Sequence, residues 1–414
     1  MNATAVLDAS PAVSRPTSTK CKYAIGYLKA SIIALVVAQH AVLAYHPAAT
    51  PPPVSLLEHP RTWLTFPVFD SHHAACVGVF TTINDMFGMA LMFFVSGLFV
   101  WGSLKRRGRS AYMYNRLLRL GVPFVAAALI LTPLSYYPTY LQIARHGGFG
   151  SFLRQWMALG TWSAGPAWFC WVLLVFDWIA ASLVQVVPGW GETLGQLTGK
   201  VTRHPELFFI LLVAITVAVY IPMTVVFGPF SWAAWGPFTF QTSRLLFYLV
   251  YFFAGIGVGA WGLERGLLAS GGKLAHRWPL WLTVAIVAFL AHSKTIEAIR
   301  NHPLPRTVQA TLQSGPIMAA HILFPVFCAA ASFTCLALFI RFVNSPIQVF
   351  DNLGRNAYGI FLIHFVLVSW IGYALCGAEA PALAKFALVF TGALALSWIG
   401  TIFVRRIPSV ARIV

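Results

Sequence analysis

The residues in this sequence best equipped for chemistry lie within apolar runs, where ionisable side chains are costly and mark candidate functional positions. The first apolar run carries Lys29 and His40. At ~100° per residue, their spacing comes within roughly 20° of three full helical turns. On a helix both side chains therefore leave from one face, about 16 Å apart along the axis. Histidine is the natural general base near neutral pH, so His40 is a candidate to take the proton of a hydroxyl attacking a thioester. Lys29 can meet an anionic part of a donor or fix the helix against a neighbour. The plainer alternative is a packed, hydrogen-bonded His40 and a Lys29 that anchors the helix by snorkelling.

A second constellation runs from Phe93-Phe94-Val95-Ser96-Gly97 through Lys105-Arg106-Arg107-Gly108-Arg109 to Arg116 and Arg119. Arg116 and Arg119 stand at i, i+3 and share a helix face. Such a pair can grip phosphates through charge-assisted hydrogen bonds, or it belongs to an ordinary basic loop. Acidic residues are scarce. Asp85, after Asn84, falls at a depth close to His40 and is a candidate to orient its imidazole. Asp177 lies within an apolar run and must face protein or water. Either carboxylate can instead simply pair with a basic residue. Trp168 belongs to an interfacial aromatic belt or stacks on a sugar. His364 sits deep in a later run as a candidate lining or coupling group. No P-loop, nucleophile elbow, zinc-protease or dinucleotide fingerprint occurs.

The elements that must position these groups are transmembrane helices. Of 414 residues, 58% are hydrophobic and 9% charged, against roughly 25% charged in a soluble domain. The apolar residues come in runs of about twenty, long enough to cross a bilayer as helix. Spans are expected near 23–45, 83–101, 120–140, 167–187, 207–226, 245–263, 280–292, 316–340, 356–373 and 383–404. The seventh is the shortest. The fold class is thus all-α, a polytopic bundle of about ten helices.

Charge orients that bundle. The net charge of +17 would suggest a nucleic-acid partner in a soluble protein. Here the basic residues fall mainly in short loops, so topology accounts for them and no nucleic acid is expected. With the N-terminus in the cytoplasm, 20 of the 28 Lys and Arg fall on that side. The others are Arg61, Arg145, Arg154, Arg244, Lys294, Arg300, Arg306 and Lys385. Both termini are then cytoplasmic in a bacterial-type inner membrane. Residues 1–22 read as a disordered N-terminus, 23–404 as one membrane domain and 405–414 as a short tail. The first run is uncleaved, because no small-residue cleavage site follows it. Two long outer loops are expected, from His46 to about Thr82 and from about Ser293 to Gly315. The six cysteines form no C-x-x-C pair and suggest neither a metal site nor a disulfide framework.

Taken in order, these segments resemble the acyltransferase-3 family. The matching features are a basic residue with a histidine in the first span, Phe-Phe-x-x-Ser-Gly in the second, and a basic loop. They continue with Arg116-x-x-Arg119-x-x-x-Pro123, a Trp-Phe fourth span and Tyr358-x-x-Phe361-Leu362-x-His364. Asn84-Asp85-Met86-Phe87 before Phe93 is similar to the branch containing the periplasmic-glucan succinyltransferase. Lys29 departs from the arginine common there; the charge is kept but the bidentate fork is lost. The resemblance implies transfer of an acetyl or succinyl group from acyl-CoA, without a metal, to a carbohydrate or glycolipid hydroxyl across the membrane. It implies His40 as catalytic residue, joined by Lys29, with Arg116 and Arg119 as donor contacts. The competing reading is a transporter of glycans or small organic acids, which also uses intramembrane His, Asp and Arg. The lack of repeats and of paired broken helices argues against it.

Overall fold

The computed structural model describes residues 17–144, 147–301 and 307–413. Within them, ten helices are long and apolar enough to cross a membrane. They are Cys21–Tyr45, Ala75–Arg107, Arg109–Ile143, Gly165–Val186, Pro205–Phe227, Thr242–Trp261, Trp278–Arg300, Gly315–Phe342, Gln348–Leu375 and Ala382–Val404. An even number of spans puts the two ends of the bundle on one side. The architecture is an all-α polytopic bundle. Among the described residues its one sheet is a hairpin, β1 (Trp232–Trp235) with β2 (Phe238–Gln241), paired so that Trp232 faces Gln241.

Every expected span is present, and several are longer than expected: the third begins at Arg109 and the ninth at Gln348, ahead of the expected 120 and 356. The second helix begins at Ala75, ahead of the expected 83, and shortens the first outer loop. Thr81 and Thr82 permit this by bonding back to the carbonyls of Val77 (3.0 Å) and Gly78 (2.7 Å). The seventh helix continues past His292 to Arg300. Ser293 Oγ bonds to Phe289 O, and Lys294 pairs with Glu297 at 2.8 Å, so its polar turns remain satisfied. At the N-terminus the chain is already helical from Thr17, ahead of the expected boundary at Lys22. The rest of the segment read as disordered lies outside the described residues.

The first helix is central. It packs against the second, eighth, ninth and tenth spans. The ninth also packs against the third, so the first and third helices flank it. The second and sixth helices cross with their backbones in contact. A methyl at Gly97 would overlap Phe252 O, and one at Gly255 would overlap Phe94 O. Glycine in the Ser96-Gly97 motif is therefore a packing requirement.

The third span is irregular. Its α-helix is interrupted by π-helical turns at Leu117–Gly121 and Ala127–Leu131, and it contains Pro123, Pro133 and Pro138. Proline removes a backbone donor and crowds the preceding turn. Within a membrane, freed backbone groups must find other partners.

The loop between the first two spans is held down along its length. Gln142 bonds to both backbone groups of Phe69 (3.1 and 2.8 Å). Thr139 donates to Pro67 O, and Tyr136 OH donates to Leu64 O at 2.9 Å. Trp63, Tyr136, Phe152 and Trp156 form a separate buried cluster beneath it. The loop thus forms a fixed cover over the third span's far end.

Candidate active site

His40 and His364 meet at the centre of the bundle. His364 Nε2 lies 3.1 Å from His40 Nδ1. The ring centroids are 5.0 Å apart, and Phe365 sets its edge against His40 at 5.1 Å. Each imidazole is also fixed by its own helix. His40 Nδ1 is 2.8 Å from Val36 O, and His364 Nδ1 is 2.7 Å from Phe361 O.

Those partners assign the tautomers. A carbonyl can only accept, so each Nδ1 carries the proton. His364 Nε2 is then an acceptor, and the His40 Nδ1–H is shared between it and Val36 O. His40 Nε2 is left with its lone pair. Among the described residues no group bonds to that nitrogen, and it is not sealed from solvent. The pair presents one basic nitrogen with the rest of its ring held in place.

Lys29 lies nearer the side of the termini on the same unbroken helix. It is solvent-exposed although Leu28 and Ala30 are buried. The guanidinium groups of Arg119 and Arg116 are close enough to repel its charge. Lys29, Arg116 and Arg119 thus form one electropositive group between the first and third spans. Arg119 is exposed there and Arg116 half-buried.

Arg116 is not free. Its Nε lies 3.0 Å from Tyr112 OH and 3.1 Å from Asp177 Oδ2. Tyr112 OH donates to Asp177 Oδ1 at 2.5 Å. The Arg116–Asp177 contact is an ion pair without hydrogen-bond alignment, which leaves Oδ2 without a formal donor. Asp177 is fully buried. It holds Arg116 and lines no open surface.

Asp85 is turned elsewhere. Its carboxylate receives Arg244 Nη2 at 2.7 Å and its carbonyl receives Nη1 at 3.1 Å. No hydrogen bond or ion pair joins Asp85 to His40 among the described residues. Asn84, its neighbour, is the residue that faces the first helix, through Leu35 O and Gln39 Oε1. The group that meets the imidazole is thus His364 rather than a carboxylate. Trp168 is half-buried within an aromatic wall of Phe93, Tyr248 and Trp232. The β-hairpin contributes Trp232 to that wall, and Trp171 Nε1 bonds to Thr239 O at 3.0 Å.

Beside Phe365 is a cavity of about 10 Å³, lined also by Thr132, Ser135, Pro166 and Phe361. Gly165 keeps it open. Its φ of +55° suits glycine, and a methyl there would lie 3.3 Å from the Phe365 ring. Among the described residues no group of three or more His, Cys, Asp or Glu is placed to hold a metal ion.

The pattern of the acyltransferase-3 family, described as an acyltransferase domain, matches residues 22–402. The chain belongs to this family. No curated protein and no solved structure matches it. As an acyltransferase-3 protein it is an acyltransferase-type enzyme of the membrane, and the match takes in all ten helices.

Several site groups were not singled out from sequence. Phe365 and Tyr112 are among them, and Arg244 was counted only as an outer-side charge. Tyr112 has a legible signal after the fact: it stands four residues before Arg116, one turn away on the same face.

Proposed function

We propose that this chain moves a small acyl group, acetyl or succinyl, from cytoplasmic acyl-CoA to a hydroxyl of an extracytoplasmic carbohydrate or glycolipid. The observation that carries this reading is His40: Nδ1 is held by Val36 and His364, while Nε2 is left as an accessible base. The CoA phosphates meet the positive group of Lys29, Arg116 and Arg119, for which the charge bias favours the cytoplasmic side of the membrane, here a bacterial-type inner membrane. Asp177 and Tyr112 orient Arg116 for that contact. The thioester reaches inward to His40, and the acceptor approaches from the other side, past the Trp168 wall.

The step balances simply. His40 Nε2 takes the acceptor hydroxyl proton as its oxygen bonds to the thioester carbonyl carbon. The carbon–sulfur bond breaks, and the departing CoA sulfur takes the proton from the imidazolium. His364 Nε2, accepting from His40 Nδ1–H, steadies the ring while it carries charge. Attack by Nε2 itself, giving an acyl-histidine, uses the same nitrogen. Trapping with hydroxylamine separates the two routes.

The test is thiol release from acetyl-CoA or succinyl-CoA by the purified protein with a glycan acceptor. His40→Ala should abolish it. Release that persists in this variant sinks the proposal, and a transporter would show no release from the start. Mass spectrometry of envelope glycans with and without the protein identifies the acyl group and acceptor.

A further inference from the structure

Two carbonyls of the third span, each four residues before a proline, accept side-chain donors from the ninth span. In an α-helix the carbonyl four residues before a proline has no N–H to receive. Pro123 has no N–H to offer Arg119 O, and Pro138 has none to offer Leu134 O. Tyr358 OH donates to Arg119 O. Trp370 Nε1 donates to Leu134 O at 3.1 Å. Among the described residues Tyr358 OH has one other hydrogen-bonding neighbour, Cys170 Sγ at 3.8 Å.

These two donors bracket His364 on one helix, six positions before and six after it. Each is therefore about 9 Å from it along the axis. A slide of the ninth helix by one residue moves every side chain ~1.5 Å and turns it ~100°. Either displacement breaks both bonds and strands two carbonyls where water is scarce. One bond alone would leave the helix free to pivot; two, on either side of His364, fix its height and its rotation. The prolines thus create acceptors specific to one register.

We propose that Tyr358 and Trp370 are positioning residues, which lock the ninth helix onto the proline-vacated carbonyls and so hold His364 against His40. This rests on His40 being the base. The tethers act first on the proton-handling pair, and Tyr358 meets the donor site only at the backbone of Arg119.

The experiment uses the purified full chain with acyl-CoA and acceptor. Tyr358→Phe with Trp370→Phe keeps both rings and removes both donors. The double variant should lose about tenfold or more in kcat, the scale set by small misplacements of a reacting group. Its KM for acyl-CoA should change less than kcat does, because both substitutions leave the charges of Arg116 and Arg119 in place. In a His364→Ala background the same two substitutions should cost nothing further, because residues acting through one group are non-additive. Unchanged kcat, a full extra loss on top of His364→Ala, or a defect confined to the donor KM would each overturn the proposal. Pro123→Ala guards against misfolding, since it supplies a backbone N–H to the carbonyl that Tyr358→Phe deprives. Pro123→Ala with Tyr358→Phe should fold like its parent and still lose kcat. Thiol release surviving in His40→Ala would instead strike the base assignment, whatever the tethers do.

Discussion

Lys385 of the tenth span holds its ammonium 2.7 Å from the carboxylate of Asp70, and both side chains are sealed from water. Asp70 also accepts the His72 backbone N–H at 2.8 Å, and His72 Nδ1 lies 3.3 Å from Lys385. The pair ties the cover loop to the last helix. Lys385→Ala would leave a carboxylate in a dry site, a change that typically costs about 3–5 kcal/mol. Replacing both groups, Lys385→Met with Asp70→Asn, should recover at least half of the loss. Thermal unfolding in detergent measures both. A midpoint for Lys385→Ala equal to wild type would show that the pair does not hold the loop.

The basic group of Lys29, Arg116 and Arg119 makes a kinetic prediction. Arg116→Ala and Arg119→Ala should raise KM for acyl-CoA more than KM for the acceptor. Asp177→Asn should act in the same direction, because it removes the charge that orients Arg116. Steady-state titration of each substrate decides. An unchanged donor KM in all three would remove these residues from the site.

Asp85 gives a prediction of opposite sense. Its carboxylate is engaged by Arg244, whose guanidinium also lies over the Phe324 ring at 4.7 Å. Asp85→Asn should therefore leave the shape of the pH–rate profile unaltered while lowering the unfolding temperature, as a buried Arg244 loses its partner. A displaced profile with normal stability would instead connect Asp85 to the imidazole.

His46, in the cover loop, carries a pH dependence outside the membrane. Burial, and then the neighbouring His73, hold its imidazole below the usual histidine range. Below a pH of about 6.5 the unfolded chain takes up a proton that folded His46 resists. The unfolded state then binds more protons, so this group favours unfolding as pH falls. Stability measured from pH 7.5 downward should decline less in His46→Gln than in wild type. Equal slopes would show that the loop does not resist protonation.

Much of the fold was legible because a membrane helix declares itself locally. Length and hydropathy marked all ten helices, and the first carries Lys29 and His40 without a break. Boundaries were less legible where polar side chains fold back onto their own helix, as Thr81, Thr82 and Ser293 do. Their hydroxyls look like loop residues until their bonds are seen. Arg244 and Lys385 were counted only as outer-side charges. Each sits within a helical run, and only the partner brought in from elsewhere explains its burial.

By itself the sequence determined the class of fold, the number of helices, and the placing of a histidine and a cation on the first of them. Those properties depend on hydrophobic length and helical period, which act over tens of residues at most. Tertiary structure decided the partners: His364 for His40, Asp177 for Arg116, Arg244 for Asp85, and the ninth helix for the carbonyls vacated by Pro123 and Pro138. Such choices join residues far apart in the chain. They follow from how ten similar apolar surfaces pack, a property that no local pattern of residues encodes.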